Sequence, residues 1–255
     1  MSTATLPTSR RHPFWGLTRT EATLFLRSPG SVVWTAFAPV VALIVLGSIP
    51  ATRHATKALG GSSYLDAYLP ILMIFSLCMS AVNLQPPVLA TYREKGVLRR
   101  LSTTPVPPTR LLGAQALIYL GVGIGIDLVL LAIAIAFGVP MPGQLGAFVL
   151  SLLLVAAASL GIGLLIAAAA PSGRVANAVS MVTFLPLMFF AGLWLPRAQM
   201  PTTLRTISDY TPLGAGARAI QASIAGQWPP AVAVLVMVAY AVVCGGLAIR
   251  LFRWE

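Results

Sequence analysis

Residues 91–110 read TYREKGVLRRLSTTPVPPTR and stand between two long apolar runs, Ala67–Ala90 and Leu111–Phe137. A polar stretch so placed is a short loop at a membrane surface. Arg93, Lys95, Arg99, Arg100 and Arg110 make it basic, and Pro105, Pro107 and Pro108 make it stiff. Short cytoplasmic loops collect Lys and Arg, so this one is expected inside. Glu94–Leu101 has the length for two helical turns, with Val97, Leu98 and Leu101 as a small apolar cluster. The prolines then forbid continuation and hand the chain to the next run at a set angle. An ordinary positive-inside loop would share this composition, so charge alone assigns it no further role.

Composition extends the reading to the whole chain. Hydrophobic residues are 57% of the sequence and charged residues 9%, against about a quarter charged in soluble domains. Runs of roughly 18 or more apolar residues span a bilayer as helices. Six occur: Val32–Ala51, Ala67–Ala90, Leu111–Phe137, Leu145–Ala170, Val175–Leu195 and Ala231–Ile249. A membrane barrel would alternate apolar and polar residues over about ten positions, and these runs do not. The expectation is an all-α integral membrane protein. Residues 1–30 form a cytoplasmic N-terminal segment, and residues 31–255 one six-span membrane domain.

The net charge of +11 invites a nucleic-acid reading, but topology accounts for it. With the N-terminus inside, the cytoplasmic side receives Arg10, Arg11, Arg19, Arg27, Arg93, Lys95, Arg99, Arg100, Arg110, Arg174, Arg250 and Arg253. The other side receives Arg53, Lys57, Arg197, Arg205 and Arg218. That asymmetry sets the orientation, and six spans return the C-terminus to the cytoplasm. The expected setting is a multi-pass protein of the cell membrane whose basic inner face meets anionic headgroups. Cys78 and Cys244 fall inside apolar runs with no ligand spacing.

Before the first run, Arg19, Thr23 and Arg27 repeat at helical spacing, with Phe14, Trp15, Leu17, Ala22, Phe25 and Leu26 on the other side and Glu21 interrupting it. This predicts an interfacial helix over Phe14–Arg27 with Trp15 at headgroup depth. Small residues at Gly121 and Gly125, Ala157 and Gly161, and Ala241 and Gly245 mark faces for close helix packing, within a chain or across a dimer. Asp127 is the acid deep in a run and by default faces protein or a wet cavity. A hydrogen bond to another helix, substrate contact and proton carriage all fit it, and Asn83 is a further polar residue that could line a pathway. Residues 196–230 hold Pro196, Pro201, Pro212, Pro229 and Pro230 among Leu204, Ile207, Leu213 and Ile220. That mixture predicts short helices dipping into the outer leaflet, a lid whose irregular backbone protein must cover.

The run R-E-K-G-V-L-R-R-L-S-T-T-P at Arg93–Pro105, the F-F-A-G-L-W-L-P at Phe189–Pro196, and the segment from Pro201 through Tyr210-Thr211-Pro212-Leu213 to Arg218 resemble ABC type-2 exporter permeases of the bacterial drug- and antibiotic-efflux kind, similar to the daunorubicin-resistance exporters. The resemblance covers essentially the whole chain, and the first run is its most specific part. It implies a coupling helix at Glu94–Leu101 that docks on a separate ATPase subunit, involving Arg93, Glu94, Lys95, Gly96, Leu98, Arg99, Arg100 and Leu101. It implies that Phe14–Arg27 is the connecting helix. It also implies a second permease chain, the two lining one export path, with ATP and magnesium on the partner ATPase.

The chain has no G-x-x-x-x-G-K-[ST] phosphate loop and no HExxH, and no G-x-S-x-G elbow. It is expected to bind no cofactor and to be a permease, not an enzyme. A secondary transporter would want more intramembrane charge or an inverted repeat. An intramembrane enzyme would want a catalytic constellation, which is missing. Apolar walls with one acid suit a hydrophobic or amphipathic small molecule; polysaccharide or lipid-linked cargo stays open.

Overall fold

The computed structural model describes residues 29–56, 59, 61–97 and 108–251. Among these the chain is helical throughout, with no strand. The helices are α1 (Pro29–Ser48), α2 (Tyr64–Cys78), α3 (Gln85–Glu94), α4 (Pro108–Ala136), α5 (Leu145–Ala169), α6 (Gly173–Ala191), α7 (Thr202–Asp209), α8 (Pro212–Ile224) and α9 (Ala231–Leu251). A π-helical segment, Met79–Leu84, joins α2 to α3, so Tyr64–Glu94 is one continuous helix of 31 residues. It is the best-buried of the long helices, with Leu65, Leu69, Met73, Ile74, Leu77 and Cys78 in the main core.

Among the described residues, five helices are long and apolar enough to cross a membrane: Tyr64–Glu94, Leu112–Ala136, Leu145–Ala169, Gly173–Ala191 and Ala231–Leu251. The chain is thus an all-α membrane protein. The 20-residue α1 runs beside α2 and α4. Exposed apolar side chains crowd the outer helices, such as Val182 on α6 and Leu235, Val242 and Ile249 on α9, as expected where lipid is the solvent.

Local chemistry sets the ends. Ser63 and Asp66 close a reciprocal capping box at the start of α2, satisfying donors that a helix start leaves free. Gly192 ends α6 in the left-handed conformation at φ 101°, and the Leu193 amide donates to Met188 O at 3.1 Å. Glycine is there because a Cβ disfavours that conformation. Pro196 and Pro201 stand immediately before helical turns and Pro212 opens α8, positions where a missing N–H is harmless.

The residues expected to form the lid fold as two unequal short helices. α8 is buried through Leu213, Ala215, Ala217, Ala219 and Ile220 and packs on α5, α9, α6 and α2. α7 lies outside it, buried only at Ser208.

Within the chain, only some of the small-residue faces make close contacts. A Cβ at Gly121 or Gly125 would meet nothing within 4 Å, whereas one at Gly123 would stand 2.8 Å from Leu77 Cδ2. The GxxxG of α4 therefore faces away from its own chain, and the glycine between its two members makes the contact with α2. Gly161 does pack closely, 3.4 Å from Ala241 Cα by the same measure, while Gly245 is open.

The interfacial helix expected over Phe14–Arg27, with Trp15, Arg19, Glu21 and Arg27, lies outside the described residues. So do Leu98, Arg99, Arg100 and Leu101.

Candidate functional site

Three polar assemblies stand out in an otherwise apolar bundle. The first is at the end of α3. The helix expected to begin at Glu94 does not: α3 ends there, Lys95 and Gly96 form a turn with Gly96 at φ 66°, and helical backbone resumes at Val97. The physical reason is the glycine, which adopts the left-handed conformation that breaks a right-handed helix. Glu94 is thus the last residue of a span. Arg93 donates to Ala168 O at 3.0 Å and to Ala170 O, and the Gly173 amide donates to Glu94 Oε2 at 3.1 Å. Lys95 is exposed.

The second assembly is inside the bundle. Asp127 on α4 is buried and accepts from Ser76 Oγ on α2 at 2.5 Å, while Ser76 Oγ also lies 2.9 Å from Met73 O. A carboxyl in hydrocarbon requires such a partner. The structure seats Asp127 in the seam between two helices of its own chain. Asn83, in the π segment, donates to Met79 Sδ at 3.3 Å. Gln85 follows, fully buried, with neither end of its amide hydrogen-bonded. The π segment touches α5 at backbone distance, since a Cβ on Gly163 would stand 3.0 Å from the Ala81 carbonyl carbon. Such segments concentrate at functional sites.

The third assembly is the lid. Arg197 pairs with Asp209 and donates to Ser208 Oγ at 3.2 Å, and Ser208 Oγ donates to Phe190 O at 2.7 Å. Arg218 joins Asp209 at 3.3 Å. Arg205 donates to Ala198 O at 3.1 Å and Met200 O at 3.2 Å. Burial lowers the Arg197 pKa from its usual value, and Asp209 opposes this. One acid thus ties α8 to the turn after α6. Beneath Arg197 and Arg205 is a cavity of about 630 Å³, also lined by Asp66, Ile71, Pro140 and Gln221. At the same end of the bundle, Arg53 stacks over the Phe137 ring at 4.8 Å and donates to Gly47 O at 2.5 Å.

The ABC-2 type transporter family model matches residues 12–225, a span that contains all three assemblies. The chain belongs to the ABC-2 type transporter family. It is therefore a multi-pass membrane permease domain that lacks the ATP-binding cassette, in a family that works with an ATPase partner. No curated protein matches the chain.

Of the residues singled out in the sequence, Arg93 and Glu94 come together with the turn between α5 and α6, and Pro196, Pro201, Pro212 and Arg218 with the lid. Asp127 and Asn83 have separate partners. Ser76, Gly163, Gly173 and Asp209 went unread. A buried Ser, a contact glycine and a lid acid carry no motif. Only the i, i+1 pairing of opposite charges at a span end gave any hint of the α3 contact.

Proposed function

We propose that this chain is the permease subunit of an ATP-driven exporter that moves a hydrophobic or amphipathic small molecule, of drug or antibiotic type, out of the cell. Both termini and the 95–107 loop face the cytoplasm, α1 completes a set of six spans, and the lid covers the outer end. Two such chains form one path, and a separate ATPase docks on the basic loop, with Arg99 and Arg100 as charged contacts. The observation that supports this best is the tie between the loop's anchor and the rest of the bundle: a push on residues 95–107 reaches α5 and α6 through Arg93 and Glu94.

The test begins with the native complex. Purification of the chain should bring an ATPase subunit with it, and ATP-loaded inverted vesicles should accumulate a fluorescent amphipath. A chain that purifies alone and transports on an ion gradient would overturn the reading. Accumulation of a sugar polymer or lipid-linked substrate in place of the amphipath would overturn the cargo. Single cysteines at positions 57 and 205 should react with impermeant maleimide in intact cells, and one at position 99 should not. Labelling at 99 would reverse the topology.

A further inference from the structure

The basic stretch follows the end of α3, yet the last two side chains of α3 bond to their own chain, Arg93 half-buried and Glu94 with a face still in solvent. Arg93 bonds the carbonyls of Ala168 and Ala170. These are among the final carbonyls of α5, which have no intrahelical donor. A cation there also meets the negative end of the helix dipole. Glu94 accepts from the Gly173 amide at 3.1 Å, the first of α6, where a free donor and the positive end of a dipole favour a carboxylate. Two neighbouring residues of opposite charge thus cap two helix ends of opposite polarity, one on each side of a tight turn. Exchanging them would misplace both charges.

Gly173 completes the joint. A Cβ there would lie 3.1 Å from Pro87 O and 3.3 Å from Thr91 Cβ, so α3 sits directly on the start of α6. Ala90, Ala170 and Ala176 form a small buried cluster beside it.

We propose that Arg93 and Glu94 form a mechanical bracket that carries movement of the 95–107 loop into the α5–α6 hairpin, and that they do not themselves dock the ATPase. This rests on the exporter reading given above. A docking residue must spend its charge on the partner, whereas these two spend theirs on helix ends of the same chain. They are positioning residues: the loop binds, and the bracket moves two spans with it.

The experiment uses the purified permease–ATPase complex in lipid nanodiscs, with Cys78 and Cys244 replaced and a reporter cysteine at exposed Ala198. The reporter's reaction with an impermeant maleimide is read with and without ATP and vanadate. Arg93→Gln and Glu94→Ala should each retain the ATPase in wild-type stoichiometry and lose the ATP-dependent change in labelling. The exchanged pair Arg93→Glu with Glu94→Arg should lose it too, although its composition is unchanged. Amide exchange at Gly173 should quicken by about tenfold in Glu94→Ala, as expected for a lost bond to a charged acceptor. Arg93→Lys supplies the rescue: its ammonium keeps a cation and hydrogen-bond donors at the α5 carbonyls, so it should restore most of the ATP-dependent labelling change that Arg93→Gln loses. Loss of the ATPase from Arg93→Gln would make Arg93 a docking residue and overturn the proposal. Retention of full ATP-dependent labelling in Arg93→Gln, or no recovery of it in Arg93→Lys, would also overturn it. A wild-type chain that purifies without an ATPase would instead overturn the exporter reading, and the proposal with it.

Discussion

Replacing Gly163 by alanine tests how the long second helix is seated in the bundle. The added Cβ would stand 3.0 Å from the Ala81 carbonyl carbon, nearer still to its oxygen, and 3.6 Å from Pro86 Cγ. Carbon atoms in good contact are about 3.5–4.0 Å apart, and because the oxygen is the nearer atom, α5 and the π segment must part by more than about 1 Å. The obstruction is backbone and cannot rotate aside. Overpacking of this kind costs about 1–3 kcal/mol. Alanine's better helix propensity returns about 0.5–1 kcal/mol. Gly121→Ala is the matched control, because nothing lies within 4 Å of its Cβ and only the propensity gain applies. The two variants should therefore differ by about 1–3 kcal/mol, or roughly 2–10 °C in Tm for a chain of this size. With the half-buried Cys244 replaced, a fluorogenic thiol dye reads the transition in detergent, because Cys78 is 0% exposed and reacts only when the bundle opens. Equal midpoints, or a lower one for Gly121→Ala, would refute backbone contact between α5 and the π segment.

Asp127→Asn keeps a partner for Ser76 and should leave thermal stability within about 1 kcal/mol of wild type, whereas Asp127→Leu breaks the bond between α2 and α4, leaves Ser76 the Met73 carbonyl as acceptor, and should lose about 0.5–1.5 kcal/mol. Measured export of one cationic and one neutral amphipath then separates the roles: selective loss of the cation by Asp127→Asn places the acid on the cargo path, and equal export leaves it a bolt between α2 and α4. Reversal of Arg99 and Arg100 to Glu should release the ATPase in a pull-down, and retention at wild-type stoichiometry would leave 95–107 a topogenic loop. Asp209→Asn should cost about 1–2 kcal/mol, almost all through the largely buried Arg197 and little through the more exposed Arg218; it should also quicken maleimide labelling of Ala198→Cys, and unchanged labelling would show that the lid does not depend on that acid.

The spans were legible because lipid demands them. A run such as Leu145–Ala170 has no soluble alternative of the same composition, and its helix was found at Leu145–Ala169. The short helices of residues 202–224 were legible for a related reason, since prolines beside recurring Leu and Ile are satisfied by short, partly buried helices. What the sequence hid is directional. Gly121 and Gly125 have the spacing of a packing motif, but spacing does not say which face of α4 meets α2, and Gly123 makes that contact. Ser76 is one of many serines in apolar helices, and nothing local says that it stands opposite Asp127. The boundary at Glu94 turned on Gly96, a residue that fits either a helix or its end until its backbone angle is known.

The bracket shows why such joints resist reading. Each of its bonds links residues more than seventy positions apart, and each acceptor on α5 is a backbone carbonyl, which every residue type offers. Only Arg93 and Glu94 are visible as chemistry, and charge next to a basic loop reads most simply as part of it. Topology decides otherwise. Because α5 ends and α6 begins within three residues, the turn presents carbonyls and an amide side by side. An Arg–Glu dipeptide at a helix end is the shortest arrangement that serves both. The same dipeptide on a free loop would be solvated and worth little. Its value comes from two helix termini brought to one place, a property of the fold that sequence spacing alone cannot express.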